Sequence, residues 1–173
     1  MANNILDYKG NQIGKSVKEE NCEQIIEEIF KASEKHSCSI TYPIDVLVGK
    51  NLNSVSIIKE LNEIEEDDLI LDIGPKTIDA IRKLIENSET VLWNGPAGYF
   101  ENPNFANGSY EIAKAIIKKN KKKSIYSVVG GGDTIALING IKAIRDFNFV
   151  STAGGAFLEY LEGKDLPGIK ALS

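Results

Sequence analysis

At 173 residues, with 42% hydrophobic side chains and a formal net charge of −5, the chain can build a core of its own and lacks the positive charge that a nucleic-acid or membrane surface would select. Its length fits one domain. No signal-peptide run, no stretch near the ~18 uninterrupted apolar residues of a membrane span, and only two cysteines, Cys22 and Cys38, without zinc-type spacing, point to a soluble protein of the reducing cytoplasm.

In chain order, Cys22, Ile25, Ile26, Ile29 and Phe30 recur at helical spacing and make one apolar face. The run "IDVLVG" from Ile44 then has the length of a strand. "SVSIIKEL" from Ser54 to Leu61 reads as a short strand, although periodicity alone leaves a helix open. "LILDIG" from Leu69 and "TVLWNG" from Thr90 follow, with Pro75 between them placed where a helix can begin. Ile112, Ile116 and Ile117 mark another amphipathic helix, which "KKNKKK" from Lys118 closes with cations favoured by the C-terminal dipole. "SIYSVVGG" from Ser124 and "FNFVSTAGG" from Phe147 complete the strand-length runs, and Phe157 to Leu161 forms a last apolar helix face with Gly163 as its stop. Strands alternating with helices imply an α/β fold, a three-layer αβα Rossmann-like parallel sheet covered on both sides.

Every one of these continuous apolar runs reaches a glycine. In open parallel sheets, ligands sit beyond the carboxyl ends of the strands, where the loops into helices expose N–H groups. At "SVVGGGDT", Ser127 to Thr134, three bare residues end a buried strand and Asp133 and Thr134 begin a helix. Glycine permits positive φ and close approach, and a helix start favours an anion. No lysine follows the glycines, so this is not a Walker loop. A phosphate there would be repelled by Asp133 unless a cation lay between them, which makes Mg2+ the natural third party. The alternative is that Asp133 caps the helix and the glycines only make a turn. Thr152 to Ala156 repeats the glycine-rich helix start, and "WNGPAGYFE" from Trp93 and "DIGPKT" from Asp72 supply two more strand-end loops, so that four loops could surround a nucleotide.

In this order and spacing, "DIGPKTI", "VLWNGPAGYFE", "VVGGGDT" and "STAGGAFLEYLEGKDLPGI" resemble the C-terminal, nucleotide-binding domain of phosphoglycerate kinase, and Met1-Ala2-Asn3 resembles that family's Met-Ala-Asn segment. The resemblance covers residues 1–173 and implies reversible phosphoryl transfer from 1,3-bisphosphoglycerate to Mg-ADP, giving ATP and 3-phosphoglycerate. It implies that Glu101 holds the ribose, that Asn94, Gly131, Gly132 and Thr134 reach the nucleotide phosphates, and that Asp133 is linked to the metal. Gly74 and Pro96 would border adenine and ribose. The amides of Gly132, Ala153, Gly154 and Gly155 would stabilise the phosphoryl group in transfer. The family's Gly-Gly-Ala-Lys segment with its catalytic lysine, the domain's first strands and the N-terminal substrate-binding half would all precede Met1. The implied partners are therefore ADP or ATP and that N-terminal half, with no nucleic acid and no membrane. A non-catalytic nucleotide-binding module is the alternative function. Strands without their neighbours should also leave an edge through which the chain self-associates.

The sequence departs from the family pattern at Ala153, where a glycine is usual, and at Ala97 and Tyr99, where Met and Val or Ile are common. His36 in "SEKHSCS" reads as an exposed loop residue, Cys22 and Cys38 as packing residues, Lys15 in "IGKS" as a surface lysine and Trp93 as core.

Overall fold

The computed structural model describes residues 1–172. The elements in chain order are α1 (Ala2–Tyr8), α2 (Glu23–Lys35), β1 (Asp45–Gly49), β2 (Ile57–Glu60), β3 (Leu69–Ile73), α3 (Pro75–Asn87), β4 (Thr90–Asn94), α4 (Asn107–Lys121), β5 (Tyr126–Gly130), α5 (Gly132–Gly140), β6 (Phe149–Val150), α6 (Gly155–Leu161) and α7 (Pro167–Lys170). The chain is α/β with a parallel sheet flanked by helices, as its alternating pattern requires. Where length alone suggests one domain, packing divides the chain into two compact units. The first holds Met1–Ile81 and Ala97–Ser109, and the second holds Arg82–Pro96 and the residues from Tyr110 onward.

The first unit departs from the all-parallel expectation. Its sheet has the order β2-β1-β3 and both pairings are antiparallel, with Val46 opposite Lys59 on one side and Ile73 on the other. All of β1 is buried, so its apolar run reflects cover on both faces and says nothing of strand direction. Val46, Val48 and Ile64 form a core cluster to which Leu61 and Ile70 add. Ser54 to Leu61 is a strand at Ile57–Glu60, followed by a 3-10 turn over Leu61–Glu63. Lys50 Nζ lies 2.8, 2.6 and 2.9 Å from carboxylates of Glu65, Asp67 and Asp68, and Lys59 Nζ is 2.8 Å from Asp68. Burial would raise the Asp68 carboxyl, but Lys59, the Glu65 N–H and Lys50 hold it at about 2.

The second unit contains the parallel sheet, in the order β4-β5-β6, with Leu92, Val128 and Phe149 side by side and Asn94 opposite Gly130. Trp93 is buried there, its ring 6.4 Å from that of Phe147, and its indole N–H donates to the Gly95 carbonyl at 2.8 Å. One face of this sheet stays partly open: Leu92, Tyr126 and Phe149 are 45%, 52% and 50% exposed. The stop of α6 is as expected. Gly163 has φ +79°, its N–H donates to Tyr160 O and that of Lys164 to Glu159 O, the paired bonds of a Schellman turn. Among the described residues no helix is long and apolar enough to cross a membrane.

Candidate functional site: the glycine-lined carboxyl edge of the parallel sheet

Parallel strands put all their carboxyl ends on one edge, and in the second unit that edge carries Asn94 and Gly95 after β4, Gly130 to Thr134 after β5, and Ser151 to Gly155 after β6. The three glycines after β5 have different duties. Gly130 is buried under Phe157, whose Cδ1 would stand 2.7 Å from an added Cβ. Gly131 takes φ +87° and ψ 134° as the N-cap of α5, a conformation that L-residues rarely adopt, and a Cβ on it would lie 2.8 Å from Asn94 Oδ1. Gly132 is exposed with nothing within 4 Å of a notional Cβ.

Helix α5 has no side-chain cap. The Ile135 N–H is taken by Gly131 O at 3.0 Å. That leaves the N–H groups of Gly132, Asp133 and Thr134 without an acceptor among the described residues, in the positive end of the helix dipole. Asp133 is therefore not the cap that the simpler reading makes it. It is exposed in the first turn. Thr134 is 0% exposed and its Oγ1 accepts the Gly95 N–H at 2.7 Å, tying the β4 loop to α5. Its side chain is thus committed inside the protein. Gly95 itself has φ +97° and precedes half-buried Pro96.

After β6, the positive φ falls on Gly154, at +57° and N-cap of α6, and not on Ala153, so the alanine costs no backbone strain. The Ala153 N–H turns back to Ser151 Oγ at 3.4 Å, whereas an added Cβ on Gly154 or Gly155 would meet open space.

The loop at "DIGPKT" differs. Gly74 is buried in the first unit, its N–H donates to Asp45 O at 2.9 Å, and a Cβ there would overlap the Asp45 carboxyl group. That carboxylate, itself 1% exposed, accepts the N–H groups of Lys76 and Thr77 at 2.9 and 2.8 Å and the Thr77 hydroxyl at 2.7 Å. The start of α3 already holds an anion, so the fourth loop is closed to a phosphate. The start of α4 is stoppered in the same way. Asp72, 1% exposed, accepts the Gly108 N–H at 2.8 Å, and Cβ atoms on Gly98 or Gly108 would overlap it. Burial pushes the Asp72 carboxyl up to about 6 against the pull of the Gly108 and Ile73 N–H groups. Sequence reasoning missed both aspartates; the signal was a single acid in an otherwise apolar strand, first in β1 and fourth of five in β3. Glu101 is exposed in the first unit, beside Asn102, whose side chain accepts the Asn104 N–H at 2.9 Å.

Among the described residues Asp133 belongs to no group of three metal-ligating side chains. The one cluster of three metal-ligating side chains among the described residues is Glu65, Asp67 and Asp68, already neutralised by Lys50 and Lys59. An exposed carboxylate beside N–H donors that have no internal acceptor fits Mg2+ with a bound phosphate, since the ion takes one or two carboxylates and completes its shell with phosphate oxygens and water.

Fold and edge together define an α/β protein that leaves a glycine-capped helix start open at the carboxyl end of a parallel sheet. The family model for phosphoglycerate kinase matches residues 1–164. The phosphoglycerate kinase of Zymomonas mobilis is 43% identical over 99% of this chain and 44% of its own length, and that of the Wolbachia of Brugia malayi is 40% identical over the same shares. The solved structure of phosphoglycerate kinase from Coxiella burnetii superposes with a TM-score of 0.91 at 37% identity over 99% of this chain and 44% of that one. That from Pyrococcus horikoshii gives 0.72 at 29% identity, over 99% and 42%. The chain belongs to the phosphoglycerate kinase family, and it spans less than half the length of these relatives.

Proposed function

We propose that the chain is the nucleotide-binding half of a cytoplasmic phosphoglycerate kinase, working with an N-terminal substrate-binding half in phosphoryl transfer between 1,3-bisphosphoglycerate and Mg-ADP. The observation that carries the reading is the contrast between helix starts: α3 and α4 are closed by buried Asp45 and Asp72, while α5 presents three N–H groups with no internal anion. The phosphates of ADP or ATP would be held by the N–H groups of Gly132, Asp133 and Thr134, with Asn94 beside Gly131. Gly154 and Gly155 offer further unhindered backbone. Bound Mg2+ would offset phosphate charge, with Asp133 as its protein ligand. Transfer of this kind rests on positioning and charge neutralisation, which fixed backbone dipoles supply without reorganising. For Glu101, Pro96 and Gly74 the assignment to the adenine and ribose rests on the family motif, and Gly74 is packed against the Asp45 carboxyl group.

The chain alone should show no turnover, because holding both reactants in line contributes ~7–11 kcal/mol and nothing in the edge described holds the glycerate. A second reading, a module that binds nucleotide without turnover of its own, draws on the 44% share of the relatives' length. Titration calorimetry with Mg-ADP is the test of the site. Asp133→Asn should weaken binding by roughly 1.5–3 kcal/mol, and parental affinity in that variant would show that the site is misplaced. A coupled ATP-formation assay with a substrate-binding half added in trans then separates the two readings: recovered turnover supports the enzyme, and none supports the module.

A further inference from the structure

A cleft of about 640 Å³ opens in the second unit between the C-terminal half of α3 and the length of α4. It lies at the other end of the sheet from the glycines. Helix α3 finishes at Asn87 just before β4 begins at Thr90, and α4 finishes at Lys121 just before β5 begins at Tyr126, so the cleft flanks the amino ends of these strands. Five-residue strands set the two edges about 17 Å apart.

Its charge is unbalanced. Arg82 from α3 pairs with Glu111, which also takes Lys114 at 2.7 Å, so that this carboxylate is held below its ordinary range by Lys114 and Arg82. Lys119 crosses to the end of α3, donating to the carbonyls of Ile85 and Glu86 at 3.1 and 2.8 Å and to that of Ser88, where it completes the helix C-terminus. Lys118 and Lys122 remain. They are i, i+4 neighbours on one face of α4, exposed at the cleft, and among the described residues neither has an ion pair; besides Glu111, already paired with Arg82 and Lys114, the acid lining the cleft is Glu86. On a chain of net charge −5, this is a local surplus of cations in a concavity of ligand size.

We propose that this cleft binds a small polyanion, a molecule with two or more phosphate or carboxylate groups, whose charges are met by Lys118 and Lys122, with Ser124, whose hydroxyl donates to the Lys119 carbonyl at 3.3 Å, at the rim. A concavity favours a compact ligand over an acidic protein surface. The site is separate from the nucleotide edge and does not depend on the function proposed for it.

Inorganic tripolyphosphate is the probe, titrated into the isotope-labelled chain and followed by amide shifts. Saturable shifts are expected at Lys118, Lys122 and Ser124, and they should persist in Gly131→Ala. The double variant Lys118→Gln/Lys122→Gln should bind about tenfold more weakly. The double variant Lys121→Gln/Lys123→Gln, which removes the same charge from lysines outside the cleft, should bind as the parent does. Equal weakening in both doubles would reduce the effect to overall charge and overturn the site. Shifts confined to Gly131–Thr134, or no saturable shift at all, would overturn it as well.

Discussion

Replacing Gly131 and Gly132 in turn by alanine separates two adjacent glycines that the sequence makes look alike. At Gly131 the substitution forces an L-residue to φ +87°, ψ 134°, and sets a methyl 2.8 Å from Asn94 Oδ1. The backbone strain costs on the order of 1–3 kcal/mol. The contact adds little, because it meets the end of a movable side chain. At Gly132 an added Cβ would meet open space, and the residue opens α5, where alanine is the better helix former by up to about 1 kcal/mol. With a urea m-value of about 2 kcal/mol/M, Gly131→Ala should lower the unfolding midpoint by ~0.5–1.5 M, and Gly132→Ala should hold or raise it. In calorimetry with Mg-ADP both should bind more weakly. Gly131→Ala would turn the N–H array, and Gly132→Ala would place a methyl where a phosphate approaches. Equal losses of stability in the two variants, or none at Gly131, would refute the argument from backbone conformation.

Three further outcomes follow from the same geometry. Asp45→Ala should destabilise by roughly 2 kcal/mol in urea unfolding, since it strips two N–H groups and the Thr77 hydroxyl of their acceptor at the start of α3; parental stability would deny the carboxylate its capping role. Asp72, raised to about 6 when folded against an ordinary 3.8, makes the folded state bind its proton more tightly. This contribution is present below 3.8 and lost as pH rises through about 6, so stability should fall by about 1 kcal/mol between pH 5 and 7, and Asp72→Ala should flatten that slope. The carboxyls of Asp68 and Glu111, lowered on folding, act in the opposite sense and only below their ordinary values. The exposed face with Leu92, Tyr126 and Phe149 should drive self-association, visible in light scattering and relieved by Leu92→Lys/Phe149→Lys; a stable monomer without these changes would contradict it.

The parallel sheet was legible because β5 and β6 each lead into a glycine-rich helix start, and β5 running into Gly130-Gly131-Gly132 leaves few other geometries. The antiparallel sheet was not. "IDVLVG" and "LILDIG" are apolar throughout, and an uninterrupted run reports burial on both faces, which direction of pairing does not alter. Within the candidate site, the open start of α5 could be foreseen, whereas the closure of "DIGPKT" depends on Asp45, 29 positions before Gly74, and no local pattern reveals that contact. Thr134 shows the same limit at close range. Its type fits a phosphate ligand, but its hydroxyl is spent on Gly95, a partner brought in by the neighbouring strand.

Asp72 and the two bare residues facing it, Gly98 and Gly108, amount to a single heritable unit spread over three positions. No one of them can drift alone. A side chain at either glycine collides with the carboxyl group, and loss of the carboxyl group removes the acceptor of the Gly108 N–H and opens a void that two missing side chains cannot fill. Removing the carboxyl group alone does not release the glycines either, since a Cβ on Gly98 would still stand 2.6 Å from the Leu71 carbonyl oxygen and one on Gly108 2.5 Å from Ile73 Cγ1. In any lineage descended from this chain, the three should change in concert or stay as they are.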